Sequence, residues 1–421
     1  MHIAKKEILK RDFVNKIEKG VIFGYSEGFF VVNEGSNFYL VNATTKEKFG
    51  PYLYTLGFYD GYAAVKRVGF QDVYFWSIID KKGNTVAEFS NGDYKNVYFS
   101  DGYAKIGDKK FIDIKGKEIE YKPDDGTILN VSDFKNGRAI VTYKTFGKEK
   151  YYYIDKEFKR INKKTYDIAE EFNNDRAVVG KNKKRFIIDT DGNTIFKYDL
   201  TKDKMKTVSR YSNGMLSYSK NGIWGHLDQY GNIAITPRFK HSEKFSDGVV
   251  TYFENGAIYM MDKESNKKLL LTKEQSHIYD YISVFNNGYA HLYYDRLDPL
   301  ADIVDKEGNI TKLSDNIELY DDYVVLSDSK SFIKLDDLKK LKKEYQIVIT
   351  RNNKEIIKSF ESEEKRDKYF DMLIQEKNNA VDLSRQVYNE YLDKLLEASN
   401  EKNEENPNKE TYKVKVKRIK R

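Results

Sequence analysis

Seven carboxylates recur at matching places in this chain. Each closes an apolar run: Ile79-Asp80, Ile112-Asp113, Ile154-Asp155, Ile188-Asp189, Leu227-Asp228, Met261-Asp262 and Val304-Asp305. Aspartate is a candidate for general acid–base work or for binding a hard cation. A catalytic site, however, needs one or two unique groups, and seven copies in one phase argue for a structural device. "DTDGN" at 189–193 resembles part of a calcium loop but lacks the third acidic ligand before the glycine and the distal Glu. The five histidines, His2, His226, His241, His277 and His291, show no metal-ligand spacing. His226 lies where other repeats have Tyr or Ile, which suits packing. No nucleophile motif, phosphate-binding glycine loop or dinucleotide fingerprint is found. The expectation is a non-enzyme without metal or cofactor.

The frame around these aspartates is a repeat. An aromatic residue, two mostly polar residues, usually Gly, and an apolar run recur as "YSEGFFVV" from Tyr25, "FYDGYAAV" from Phe58, "FSDGYAKI" from Phe99 and "FKNGRAIV" from Phe134. They continue as "FNNDRAVV" from Phe172, "YSNGMLSY" from Tyr211, "FSDGVVTY" from Phe245, "FNNGYAHL" from Phe285 and "YDDYVVLS" from Tyr320. The intervals run from 33 to 41 residues. Each hydrophobic-Asp step follows in phase, and five of the seven have Gly three residues later: Gly83, Gly116, Gly192, Gly231 and Gly308. Asn-Gly and Asp-Gly between apolar runs mark tight turns, because glycine takes positive φ freely and Asp bonds its own downstream backbone. Segments such as "DVYFWSIID" and "KKRFIID" read as strands. Three or four strands in about 37 residues is the size of a small propeller blade.

"NGIWGHLDQYGNIAITPRFKHSEKFSDGVV", with Trp224-Gly225, Leu227-Asp228, Gly231, Pro237, Phe245 and Gly248, resembles a WG-repeat protein. The likeness spans roughly residues 20–336, with aromatic or apolar residues replacing the Trp-Gly pair in the other repeats; Trp76 lacks the following Gly. The resemblance implies a bacterial, all-β repeat array and brings no catalytic residues.

The fold expected is therefore mostly β: a repeat β-propeller, or alternatively an open β-solenoid array, with a small α+β C-terminal appendage. Half-units at both ends of the repeat, "KGVIFGYS" and 323–335, suit a ring closed by strands from both ends. The organisation expected is an N-terminal segment 1–19, a repeat domain 20–335 and an appendage 336–421. In the appendage, "YQIVIT-RNN-KEIIKSF" reads as a hairpin, Ser362 as a helix N-cap, and the apolar positions from Tyr369 to Leu396 as helix. The tail from Lys409 to Arg421 has seven basic residues and one acidic. Tyr412, Val414 and Val416 alternate with Lys413, Lys415 and Lys417, as in a strand added to the hairpin. The alternative is a phosphate-contacting arm including Arg418, Lys420 and Arg421.

Composition bounds the partners. The chain has no cysteine and 14% aromatic residues, and 73 basic residues face 66 acidic ones for a net charge of +7. A charged N-terminus without an apolar stretch reads as neither signal peptide nor membrane anchor, so a cytoplasmic protein with no membrane contact is expected. Trp76 and Trp224, with Tyr151 and Tyr153 from a run of three tyrosines, are the candidate contact aromatics. The function expected is a protein-interaction scaffold whose variable loops, such as "KRVGFQD" and "YDRLDPLAD", set specificity. The alternative is an accessory nucleic-acid binder using the basic tail.

Overall fold

The computed structural model describes residues 2–9, 14–89, 94, 96–123, 127–199, 205–208, 211–240, 244–295, 297, 299–340, 343–351, 354–360, 362–379 and 417–418. The chain divides into two compact units: Asn15–Leu335, and Met1–Val14 together with Asp336–Arg421.

The larger unit is a β-propeller of nine small antiparallel sheets among the described residues. Blade 1 shows the plan: strands Val21–Ser26, Phe29–Glu34, Asn37–Asn42 and Lys48–Tyr52 pair in sequence order. Blades 2 to 8 follow over 54–89, 99–120, 127–155, 168–199, 205–239, 249–271 and 281–316. In blades 4 and 7, three strands of the plan are regular. The middle strands are buried on both sides, as in "FFVV" of blade 1, and the fourth strands are mostly exposed and form the outer rim.

Strand alternation makes each sheet face two neighbours. Phe29 and Val31 pack with Phe58, Ala63 and Val65 of blade 2. Phe30 and Val32, pointing the other way, pack with Tyr323, Val325 and Phe332 of blade 9. Blade 9 comprises Glu318–Leu319, Tyr323–Val325 and Ser331–Lys334, and its fourth strand is Asn15–Lys16 from the other end of the chain. That pairing and the shared core of blades 1 and 9 close the ring, so the open solenoid is set aside. Closure leaves every sheet flanked by another.

The first 19 residues are thus not a separate segment. Asn15–Lys16 completes blade 9, and "KGVIFGYS", expected to supply the closing strand, gives blade 1 its own first strand instead. His2–Leu9 belongs to the smaller unit, where it pairs antiparallel with Lys343–Arg351. Lys343–Arg351 also pairs with Lys354–Phe360, and Lys354–Phe360 in turn with Lys417–Arg418. Helix Glu363–Asn379 starts at Ser362, whose Oγ accepts from the Lys365 N–H at 3.3 Å. Leu373 packs on Ile347 and Ile349. The expected helical continuation from Ala380 to Leu396 lies outside the described residues.

Candidate interaction face

In each blade the first-to-second and third-to-fourth connections share one end of the sheet, and the second-to-third connection lies at the other. The first is here the turn end, the second the loop end.

The turn end is built by the repeated residues. The recurrent Asp accepts from the backbone two and four residues on. Asp80 Oδ1 takes the N–H groups of Lys82 and Asn84, both at 2.9 Å, and Asp228 Oδ1 those of Tyr230 and Asn232, at 2.8 and 2.9 Å. Asp113, Asp155, Asp189 and Asp305 do the same. The carboxylates are therefore committed to chain reversal, each in its own blade. Among the described residues no group of three or more His, Cys, Asp or Glu gathers to hold a metal ion.

A second set of acidic and amide groups joins the blades. In five repeats the residue before the first-turn glycine sits at positive φ and its side chain accepts from the glycine N–H of the next blade. Glu27 takes Gly61 at 3.0 Å, Asp60 takes Gly102 at 3.0 Å, and Asp101 takes Gly137 at 2.7 Å. Asn213 takes Gly248 at 3.2 Å, and Asp247 takes Gly288 at 2.6 Å. Lysines from the adjoining turns add to two of these latches: Lys81 to Glu27 at 2.8 Å and Lys306 to Asp247 at 2.9 Å. At the closure, Tyr25 donates to Asp322 Oδ2 at 2.7 Å. Sequence reading took these residues as turn formers only. The available signal is that the position before the glycine is Glu, Asp or Asn in all nine repeats.

Beside the first strands, Tyr98 donates to Asp133 Oδ2 at 2.7 Å, the Tyr59 ring lies 5.4 Å from that of Tyr98, and Lys135 pairs with Glu171 at 2.8 Å. Burial, then the hydrogen bond to Asp133 and its charge, push the Tyr98 hydroxyl well above the usual phenol range. It stays protonated and is no base. Burial likewise pushes Tyr211 up to about 12. A groove of about 500 Å³ beside the rim of blades 1 and 2 is lined by Lys48, Tyr52 and Arg67 among others, with no carboxylate or histidine in its lining. Lys48 there is paired with Glu34 at 2.6 Å.

The loop end differs in what it leaves uncovered. Phe70 is 87% exposed, Phe146 100% and Leu297 93%, each in a second-to-third connection, of blades 2, 4 and 8. Val68, Val73, Tyr74, Ile223, Phe253 and Leu300 are exposed at the same end. The turn end has exposed apolar groups too, Tyr230, Ile233 and Tyr59 among them, but none as exposed as Phe70, Phe146 and Leu297. The loop "KRVGFQD" carries Phe70, and "YDRLDPLAD" carries Leu297. Phe146 was missed by sequence reading.

The aromatics singled out in the sequence are mostly structural. Trp76 is buried against Phe89 and Ile78, and Tyr153 is buried with its hydroxyl donating to the Glu170 carbonyl at 2.6 Å. Neither presents a surface to a partner. Tyr151 and Trp224 are half-buried. Gly225 follows Trp224 because a side chain there would strike the backbone of Ile235 and Pro237 in the fourth strand. Lys417–Arg418 lies in the sheet of the smaller unit, opposite Glu355 and Lys354. Lys413, Lys415, Lys420 and Arg421 lie outside the described residues.

No model of a known protein family matches the chain, and no curated protein matches it in sequence. Solved structures similar to it include Hsv2p of Kluyveromyces lactis, at 13% identity and TM-score 0.32, covering 57% of this chain and 95% of that one. Virginiamycin B lyase of Staphylococcus aureus is similar at 11% identity and TM-score 0.29, covering 79% and 99%. PorZ of the Porphyromonas gingivalis type-IX secretion system is similar at 6% identity and TM-score 0.27, covering 83% and 52%. These neighbours are β-propeller-like.

Proposed function

We propose that the propeller is a non-catalytic scaffold that binds a protein partner across its loop end. The observation that carries this reading is that the three most exposed large apolar side chains among the described residues, Phe70, Phe146 and Leu297, stand at three separate loops of that end. Large side chains with almost no packing, two of them aromatic, are the type enriched among interface hot spots. The commitment of the repeat carboxylates to turns and latches supports the non-catalytic part. The pairing of Lys417–Arg418 into a sheet favours this reading over a nucleic-acid arm.

The test is site-specific photo-crosslinking in the source cell. A benzophenone amino acid replaces Phe70 or Leu297 at the loop end, and Tyr230 at the turn end. One discrete protein adduct from the first two positions and none from the third is expected. Adducts from position 230 alone, or none from any position, overturn the reading.

A further inference from the structure

Three loop-end hairpins use one turn design. Asn182-Lys183 has φ 51° and 61°, Asn221-Gly222 55° and 80°, and Asn255-Gly256 53° and 83°. Positive φ at both central residues matches the twist of a two-residue hairpin, and Asn is favoured at the first because its short amide tolerates that region. The hairpin joining Arg138–Thr145 to Lys148–Asp155 has the same turn, but Phe146 at φ 46° stands where the others have Asn, before Gly147 at 74°. A bulky aromatic there is strained. Its ring is fully exposed, so no packing offsets the strain. Backbone strain held without a packing return points to function.

The surroundings set the partner's chemistry. Lys144 and Lys148 flank Phe146 on its own hairpin, Lys181 and Lys183 stand on the next blade's, and Lys220 on the one after, all exposed. Among the described residues Lys144, Lys148, Lys183 and Lys220 make no ion pair. Among the described residues the nearby carboxylates have partners: Asp167 accepts from Lys150 and from the Asn182 N–H at 2.9 Å, and Glu149 from the Tyr151 hydroxyl at 3.3 Å. Among the described residues this surface thus carries more lysines than carboxylates around one apolar ring.

We infer that the loop end of blades 4 to 6 docks an acidic protein segment that carries an apolar residue among its carboxylates. The inference rests on the loop end being the interface, and it names the chemistry of what binds at one arc of it. A single-stranded nucleic acid would use a row of rings for successive bases. Here one ring projects, while neighbouring Tyr143 packs on Tyr152 at 5.5 Å between centroids. One anchor framed by cations is the make-up of an interface hot spot with a charged rim.

The experiment measures fluorescence anisotropy with the full chain. The probe is a short fluorescein-labelled peptide of Asp and Glu around a central Leu. Its Leu→Ser version, an oligothymidine and phosphatidylserine–phosphatidylcholine vesicles are the comparators. The expected result is salt-sensitive binding of the Leu peptide, weakened about tenfold by Phe146→Asn and by Lys148→Glu with Lys183→Glu. Phe146→Asn installs the residue that the sister turns use, so the thermal midpoint stays the same or rises and loss of fold cannot explain loss of binding. Unchanged affinity in Phe146→Asn, no binding of the peptide, or tighter binding of the oligonucleotide or vesicles overturns the inference. In those cases a discrete adduct from positions 70 and 297 still upholds the interface reading, and its absence takes both down.

Discussion

At the turn end of the ring, Asp80, Asp113 and their counterparts each hold backbone N–H groups, and Glu27, Asp60, Asp101 and Asp247 reach across to the next blade. At the loop end blades 1 and 4 to 7 turn in two residues while blades 2, 3, 8 and 9 carry longer connections of differing sequence, and large apolar groups stand in solvent. The same strands lead into both. Neighbour contact explains the difference: the turn end must match the adjoining blade in every repeat, so its residues are fixed in type, whereas the loop end meets no such demand and is free to vary. Conservation between repeats therefore marks assembly here, and divergence marks the surface offered to others.

The sharpest way to break this contrast is with two glycines. Gly308, in the third-to-fourth turn of blade 8, has φ 89°, and a Cβ there would lie 2.6 Å from the Leu270 carbonyl oxygen of blade 7. That oxygen belongs to backbone and cannot swing away. Gly308→Ala is expected to cost about 3 kcal/mol, combining left-handed strain with a clash between blades. Gly147, at the loop end, has φ 74° and nothing within 4 Å of a built Cβ. Gly147→Ala should cost only the conformational term, about 1 kcal/mol. Urea midpoints of the two variants decide it, and equal losses would mean the turn end has no special role in joining blades.

A smaller effect tests the latches. Asp247 accepts from Gly288 N–H and pairs with Lys306. Asp247→Ala removes both partners and is expected to cost about 2 kcal/mol, in the range for a hydrogen bond to a charged group. Asp247→Asn keeps an acceptor and tolerates φ 54°, as Asn213 does naturally, so it should lose less than half as much. Thermal melts of the pair separate the latch from the turn; identical losses would assign the stability to charge alone.

The acid limb of stability sharpens the contrast further. The Asn84 side chain, with the N–H groups of Asn84 and Lys82, holds the Asp80 carboxyl below the usual range. For Asp189, partial burial pushes upward but the N–H groups of Asn193 and Asp191 and the Asn193 side chain prevail, again lowering it. A carboxyl depressed in the folded state contributes fully above its ordinary value of about 3.9, and the contribution is lost as pH falls through the folded value. His291 is lowered by burial, so the fold prefers it neutral. Its contribution is complete above about pH 6.5 and is lost as pH falls through its lowered value. The melting temperature should therefore fall first below about pH 6.5 and again below about pH 4. Asp80→Asn with Asp189→Asn should flatten the lower step and leave the upper one. An unaltered lower step would show that turn carboxylates do not hold this end together.

What the sequence disclosed follows the same division. The spacing of Asp and Gly made the turns readable, because each repeat solves one local problem with one residue type. The strand Asn15–Lys16 gave no pattern: two residues cannot show periodicity, and its role depends on pairing with Phe332 and Ser331 far along the chain. The latches were hidden behind a local explanation. Asp and Asn suit positive φ, so a turn role alone accounts for Asp60 and Asn213 in the sequence, while their reach to the next blade depends on the folded ring. Trp76 and Tyr153 are buried where the sequence suggests contact residues, since a rare or clustered aromatic carries no mark of which side of a sheet it faces. Phe146 stands out only in the structure, where the four hairpins align at the same turn position.

The smallest expected effect closes the contrast from the other side. Phe70→Ser with Leu297→Ser removes two large apolar groups, yet both side chains are nearly free of contacts, at 87% and 93% exposure. Surface changes of this kind stay within about 0.5 kcal/mol per site. The loop end should thus tolerate the loss of two apolar anchors with almost no shift in the urea midpoint, where one added methyl at Gly308 is expected to cost about 3 kcal/mol. The adduct from a benzophenone at position 146 should nonetheless weaken in the double variant, because the anchors act on a shared partner. A large stability loss would mean that Phe70 or Leu297 packs in the folded protein and that the loop end, like the turn end, serves assembly.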